Sequence, residues 1–142
     1  MTDLQKAKNR LLQGEYTCVL CKGDDVVLST LRGVKPLVSW LEQGKRFVGY
    51  SAADKVVGKA TAFLYVLLGV KAVYANVISA PAKAVLLSHN IAVEYATLTQ
   101  TIINRAGDGQ CPFEACVLNV QEPTIAYERI HLQMAKMGIT LA

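Results

Sequence analysis

The residues whose types and spacing could do chemistry fall in three short segments: Ser51-Ala52-Ala53-Asp54-Lys55, Ser79-Ala80-Pro81-Ala82-Lys83 and Cys111-Pro112-Phe113-Glu114. Each reads as the beginning of a helix. Asp54 offers a carboxylate for acid or base work, yet Ser51 followed three residues later by a carboxylate also matches a capping box, which satisfies orphan backbone donors without any substrate. Lys55 and Lys59 lie one turn apart, and Lys83 sits in the first turn of the following helix. Cations there oppose the helix dipole. Two helix beginnings carrying lysines, with Ser51 and Ser79 beside them, would suit a phosphate or carboxylate; the alternative is that the lysines are solvated or paired with Asp54 and Glu94.

Cys111 is the sharpest nucleophile candidate. A thiol at a helix N-cap, with Pro112 at the first helical position, is placed where the dipole lowers its pKa. Glu114 either cancels part of that effect or caps the helix. The two histidines, His89 and His131, both fall late in helices, so nothing in the spacing supports a Cys-His pair. Gly58-Lys59-Ala60-Thr61 fails as a phosphate loop, because Ala53 stands where the first glycine is needed, Ala60 replaces the hydroxyl residue, and the segment lies inside a helix. Gly58 is read instead as a point of close approach.

Cys18, Cys21, Cys111 and Cys116 invite a metal reading. Cys18 and Cys21 lie in a strand, where residues three apart point to opposite faces, and no Gly or Pro between them makes a turn. Buried free thiols are expected. The net charge of +4 comes from fifteen Lys and Arg with no run longer than Lys45-Arg46, which argues for solubility and against a nucleic-acid partner. The apolar stretch Ala60 to Val70 is too short to span a membrane, and Thr2 to Gly14 is charged with no signal-like apolar region. A cytoplasmic location with no membrane partner is expected.

The elements that must position these residues follow from periodicity. At 52% apolar and 18% charged, 142 residues suffice for one folded domain, taken as 1–142. Leu4, Ala7, Leu11 and Leu12 predict a first helix ending at Gly14. Tyr16–Lys22 and Val26–Thr30 predict a hairpin, Pro36 to Gly44 a short helix, and Phe47–Tyr50 either a brief strand or the end of a loop. A central helix carries Val56, Val57, Ala60, Phe63, Leu64 and Leu67 and closes at Gly69. Ala72–Ser79 predicts a buried strand, Pro81–His89 a helix and Ile91–Tyr95 another strand. Alternation of this kind implies parallel pairing. Thr97–Arg105 predicts a short helix, Ala106–Gln110 a loop, and helices open at Cys111 and after Pro123.

With Asp54-Lys55-Val56-Val57-Gly58-Lys59-Ala60, Val73-Tyr74-Ala75, Ile78-Ser79 and Cys111-Pro112-Phe113-Glu114 in this order, the chain resembles the cytidine deaminase-like fold. It is similar to a bacterial family of unknown function that shares that fold without zinc. The resemblance implies a three-layer α/β/α sandwich with a mixed sheet of about five strands. It also implies that Ala52 or Ala53, Ala82 and Val85 stand where a deaminase carries His or Cys ligands, and that Asp54 aligns with the proton-shuttling Glu. No metal or other cofactor is expected. The expected protein binds an unknown small anionic molecule, a nucleotide among the candidates. Asp54, Cys111 and Glu114 are its candidate catalytic residues, and Ser51, Lys55, Lys59, Ser79 and Lys83 its ligand contacts. The alternative is a non-catalytic interaction or regulatory module. A homo-oligomer is expected in either case.

Overall fold

The computed structural model describes residues 1–102 and 111–140. Helix α1 (Asp3–Gln13) starts from Thr2, whose side chain accepts from the Gln5 amide while Gln5 answers the Thr2 amide. Strands β1 (Cys18–Lys22) and β2 (Asp25–Ser29) form the expected hairpin, with Gly23 at φ +59° in a turn that L side chains rarely enter. Then come α2 (Lys35–Glu42), β3 (Ser51–Val57), α3 (Lys59–Leu68), β4 (Ala72–Ser79), α4 (Ala80–Ser88) and β5 (Ala92–Thr99). The short α5 (Pro112–Cys116) and α6 (Pro123–Lys136) complete the chain.

The sheet order is β2-β1-β3-β4-β5, antiparallel through β2, β1 and β3 and parallel through β3, β4 and β5. Helix α1 covers one face, closing Ala7 and Leu11 over Val19, Cys21, Ala53 and Tyr74. The other face carries the larger core, in which Leu37, Phe63, Leu64, Leu68, Leu86 and Ile130 pack on Leu20, Ala52, Val73 and Ala75. Helices therefore lie on both faces of a mixed sheet, the three-layer arrangement expected. Cys18 falls in the larger core and Cys21 in the smaller one, both free and buried, as alternation along a strand requires.

Ser51 does not begin a helix. The stretch from Ser51 to Val57 is β3, and its central place explains why: Ser51 to Asp54 pair with β1 on one side while β4 pairs along the other. A local capping signal is outweighed when two neighbouring strands take up the backbone groups it would have satisfied. Helix α3 begins instead at Gly58, seven residues on. Ser51 and Ser79 consequently sit at opposite ends of the sheet, since Ser51 pairs with Ala72 and Val57 with Ile78. Six residues of strand span about 20 Å.

One further expectation is decided between its two alternatives, and one is corrected. Phe47–Tyr50 is a turn with Gly49 at φ +83°. Thr97 to Thr99 continue β5, where they pair with Val77 to Ser79, and form no helix. The rest of that expected helix, and the loop through Gln110, fall at 103–110, outside the described residues. No helix among the described residues is long and apolar enough to cross a membrane.

Candidate functional site

Because β1 runs antiparallel to β3, the start of β1 meets the carboxyl end of β3, and Cys18 stands opposite Asp54. A cavity of about 520 Å³ opens there. Its walls come from the end of β3 (Asp54, Lys55, Val56), the first turn of α3 (Gly58, Ala60, Thr61), the loop before α2 (Arg32, Gly33, Val34) and α5 with its approach (Cys111, Phe113, Glu114). Glu15, Thr17, Thr30 and Ile102 complete it. Open sheets commonly bind ligands outside the carboxyl ends of parallel strands.

Asp54 is 8% exposed and forms no ion pair among the described residues. The Tyr65 hydroxyl donates to its Oδ2 at 2.6 Å, and Cys18 Sγ lies 3.1 Å from the same hydroxyl. Since Tyr65 gives its only proton to Asp54, the Cys18 thiol is the donor in the second bond, making a chain Cys18–Tyr65–Asp54 that ends at the cavity. Burial is the dominant influence on Asp54 and pushes its carboxyl up to about 7, against the lowering pull of Tyr65 and the backbone amides of Val56 and Lys55. Burial, then the Asp54 charge, pushes the Cys18 thiol well up, and the same two causes raise Tyr65. Both stay protonated, so Asp54 is the member that changes charge near neutrality.

Glu114 does different work. Its Oε1 accepts the Lys59 amide at 2.6 Å and its Oε2 the Ala60 amide at 2.9 Å, so one carboxylate caps α3 from a separate helix. Gly58 makes this possible: a Cβ there would stand 2.5 Å from the Glu114 carboxyl carbon. The close approach expected at Gly58 is therefore to a side chain. The N-terminus of α3 already holds an anion, the chain's own, leaving those two amides no free capacity for another.

Asp54, Lys55, Cys111 and Glu114, far apart in sequence, thus line one cavity. The others do not join them. Ser51 is buried at the far end of β3, and Ser79 is the N-cap of α4, its Oγ accepting the Ala82 amide at 3.2 Å. Lys59 Nζ reaches the Leu118 carbonyl at 3.0 Å, and Lys83 Nζ stands 5.0 Å from the centre of the Tyr95 ring. Cys111 occupies the N-cap of α5 with Pro112 next and makes no side-chain cap bond. Sequence reasoning missed Tyr65 and Arg32. Tyr65 left a usable signal, because a tyrosine inside an apolar helix must find a partner for its hydroxyl; Arg32, in a loop, left none. Among the described residues no three His, Cys, Asp or Glu side chains converge as a metal-binding group.

The molecule is thus an α/β sandwich whose mixed sheet ends in a cavity floored by a buried carboxyl. The chain belongs to the TM1506 family, described as a domain of unknown function (DUF1893), whose model matches residues 6–134. It is similar to the crystal structure of a DUF1893 family protein, TM1506, from Thermotoga maritima, at 24% identity and a TM-score of 0.81 over 96% of this chain and 91% of that one. At that identity the likeness speaks for the fold. No curated protein matches.

Proposed function

We propose that this chain is a metal-independent binding protein for a small anionic metabolite, nucleotides among the candidates, built on a cytidine deaminase-like scaffold in the cytoplasm. The observation that carries the reading is the cavity itself: its size suits a small ligand, and it joins apolar walls at Val34, Val56, Ile102 and Phe113 to a few convergent polar groups. Lys55 and Arg32, both exposed, supply the positive charge, and Asp54, Thr61 and Glu114 are the buried polar groups of its lining. Cys111 and Asp54 are the candidates for any covalent or proton-transfer step. The deaminase likeness is supported by the β3-α3-β4-α4-β5 order with helix beginnings at Gly58 and Ser79. At those beginnings Lys59, Ala60, Ala82 and Val85 offer no imidazole, thiol or carboxylate to hold zinc. A thermal-shift screen against nucleotides and small acids tests the reading. Stabilisation by one class, lost in Lys55→Ala, is expected; no response from any anion, or one zinc per chain retained against a chelator, would overturn it.

A second reading, a homo-oligomeric interaction module, is favoured by β5. This eight-residue strand has one unpaired edge and is largely exposed, with Tyr95 at 36% and Leu98 at 42%. Long uncovered edges are usually paired or blunted. Light scattering at micromolar concentration decides: a dimer that dissociates in Thr97→Pro supports it, and a monomeric parent chain removes it.

A further inference from the structure

The charged groups lining the cavity are two cations, Arg32 and Lys55, against three carboxylates, Glu15, Asp54 and Glu114. With all three carboxyls ionised, the balance is unfavourable to an anion. Glu114 is spent on the α3 amides, so its charge is met by the helix N-terminus. Asp54 is met by no helix N-terminus and, among the described residues, by no ion-pair partner; the Lys55 and Val56 amides and the Tyr65 hydroxyl offset its burial only in part. Facing it are the Tyr65 hydroxyl from α3 and, behind that, the Cys18 thiol from β1, both neutral. Lys55 follows it on β3 but is exposed, while Cys111 and Glu114 of the α5 segment, Arg32 of the α2 approach and Glu15 share only the cavity. An anion entering beside an ionised Asp54 would meet a buried like charge, and repulsion in a poorly screened site is large.

We propose that the cavity binds its anion together with one proton, and that Asp54 holds that proton. The inference rests on reading the cavity as an anion site. The step is an ordinary protonation: solvent or buffer gives up a proton, the Asp54 carboxylate becomes a carboxylic acid, and the lining turns from a net negative charge to balance. Tyr65 and Cys18 are positioning residues that keep the carboxyl in place behind the ligand.

Sulfate is a suitable probe because its charge does not change between pH 5 and pH 9. Calorimetric titration at constant ionic strength should show sulfate affinity level at low pH and falling by about tenfold per pH unit above the titration of Asp54. Repeating the titration at pH 8.5, where Asp54 of the free protein is almost fully ionised, in two buffers of different ionisation enthalpy should give close to one proton taken up per sulfate. In Asp54→Asn the affinity should lose its pH dependence. The calorimetric proton count uses the unmodified protein and stands even if that variant fails to fold. Sulfate binding with a flat pH profile and no proton uptake would overturn the proton linkage while leaving the anion site. A pH dependence that persists in a folded Asp54→Asn would assign the proton elsewhere and overturn it too. No sulfate binding at any pH would instead remove the anion reading on which the linkage rests.

Discussion

Asp54 sets the behaviour expected at the scale of the residue. Its carboxyl titrates near 7 in the folded chain and near 4 when unfolded, so the folded state holds the proton more tightly. The stability this confers is complete below about pH 4 and lost as pH rises through 7. Linkage sets a ceiling of about 4 kcal/mol on the effect. Asp54→Asn, which keeps an acceptor for Tyr65, should be more stable than the parent chain at pH 8 and gain far less at pH 5, as urea denaturation at the two pH values would read. An equal difference at both would show that Asp54 is not the titrating group. Cysteine reactivity is a second residue-scale expectation. Cys18 and Cys21 are 1% and 2% exposed while Cys111 is half-buried at the cavity, so iodoacetamide should modify Cys111 before either of them. Equal rates for Cys111 and Cys18 would mean that this cavity does not admit even a small reagent.

At the scale of the element, the joint between α3 and α5 is the feature most open to test. Gly58→Ala puts a methyl group into the space of the Glu114 carboxylate, although its φ of −94° suits any residue, so the cost is purely steric. Loss of a buried, charge-assisted cap should cost about 2 kcal/mol, in Gly58→Ala as in Glu114→Ala. The pair should also be non-additive, because the second change removes a contact already lost. Additive losses in a double-mutant cycle would refute the shared contact. Much of the element order was legible from periodicity: the hairpin, the strand-helix-strand alternation after it, and the helix beginnings at Ser79 and Cys111 all follow from residues within a few positions. Ser51 and Asp54 were misplaced because their capping pattern is local, whereas their strand is imposed by β1, about 30 to 36 residues earlier, and β4, about 21 residues later. Glu114 was legible as a helix-capping residue, but not as the cap of α3, since nothing in a sequence pairs positions 55 apart.

For the whole molecule, coverage of the sheet is unequal. One helix of 11 residues lies on one face and the remaining helices gather on the other. Helix α1 reaches β1, β3 and β4, so Lys55, Val56, Asn76 and most of β5 stay in contact with water. The gathering of Asp54, Lys55, Cys111 and Glu114 around one cavity follows from this topology: β3 ends where β1 begins, and α5 folds back onto the start of α3. The residue types were visible in the chain; the meeting place needed the antiparallel β1–β3 pairing, which periodicity does not specify.

The Glu114 cap also has a consequence in time. It joins residues 54 and 55 positions apart, so its loop must close before the contact returns any energy, whereas β1–β2 and the crossovers through α3 and α4 form over much shorter separations. A contact of that span is expected to form after the folding barrier. Glu114→Gln should then leave the refolding rate nearly unchanged and speed unfolding, so that both the wall of the cavity and the lifetime of the folded chain hang on one carboxylate. A stopped-flow chevron with its whole effect on the refolding arm would place that carboxylate in the nucleus instead.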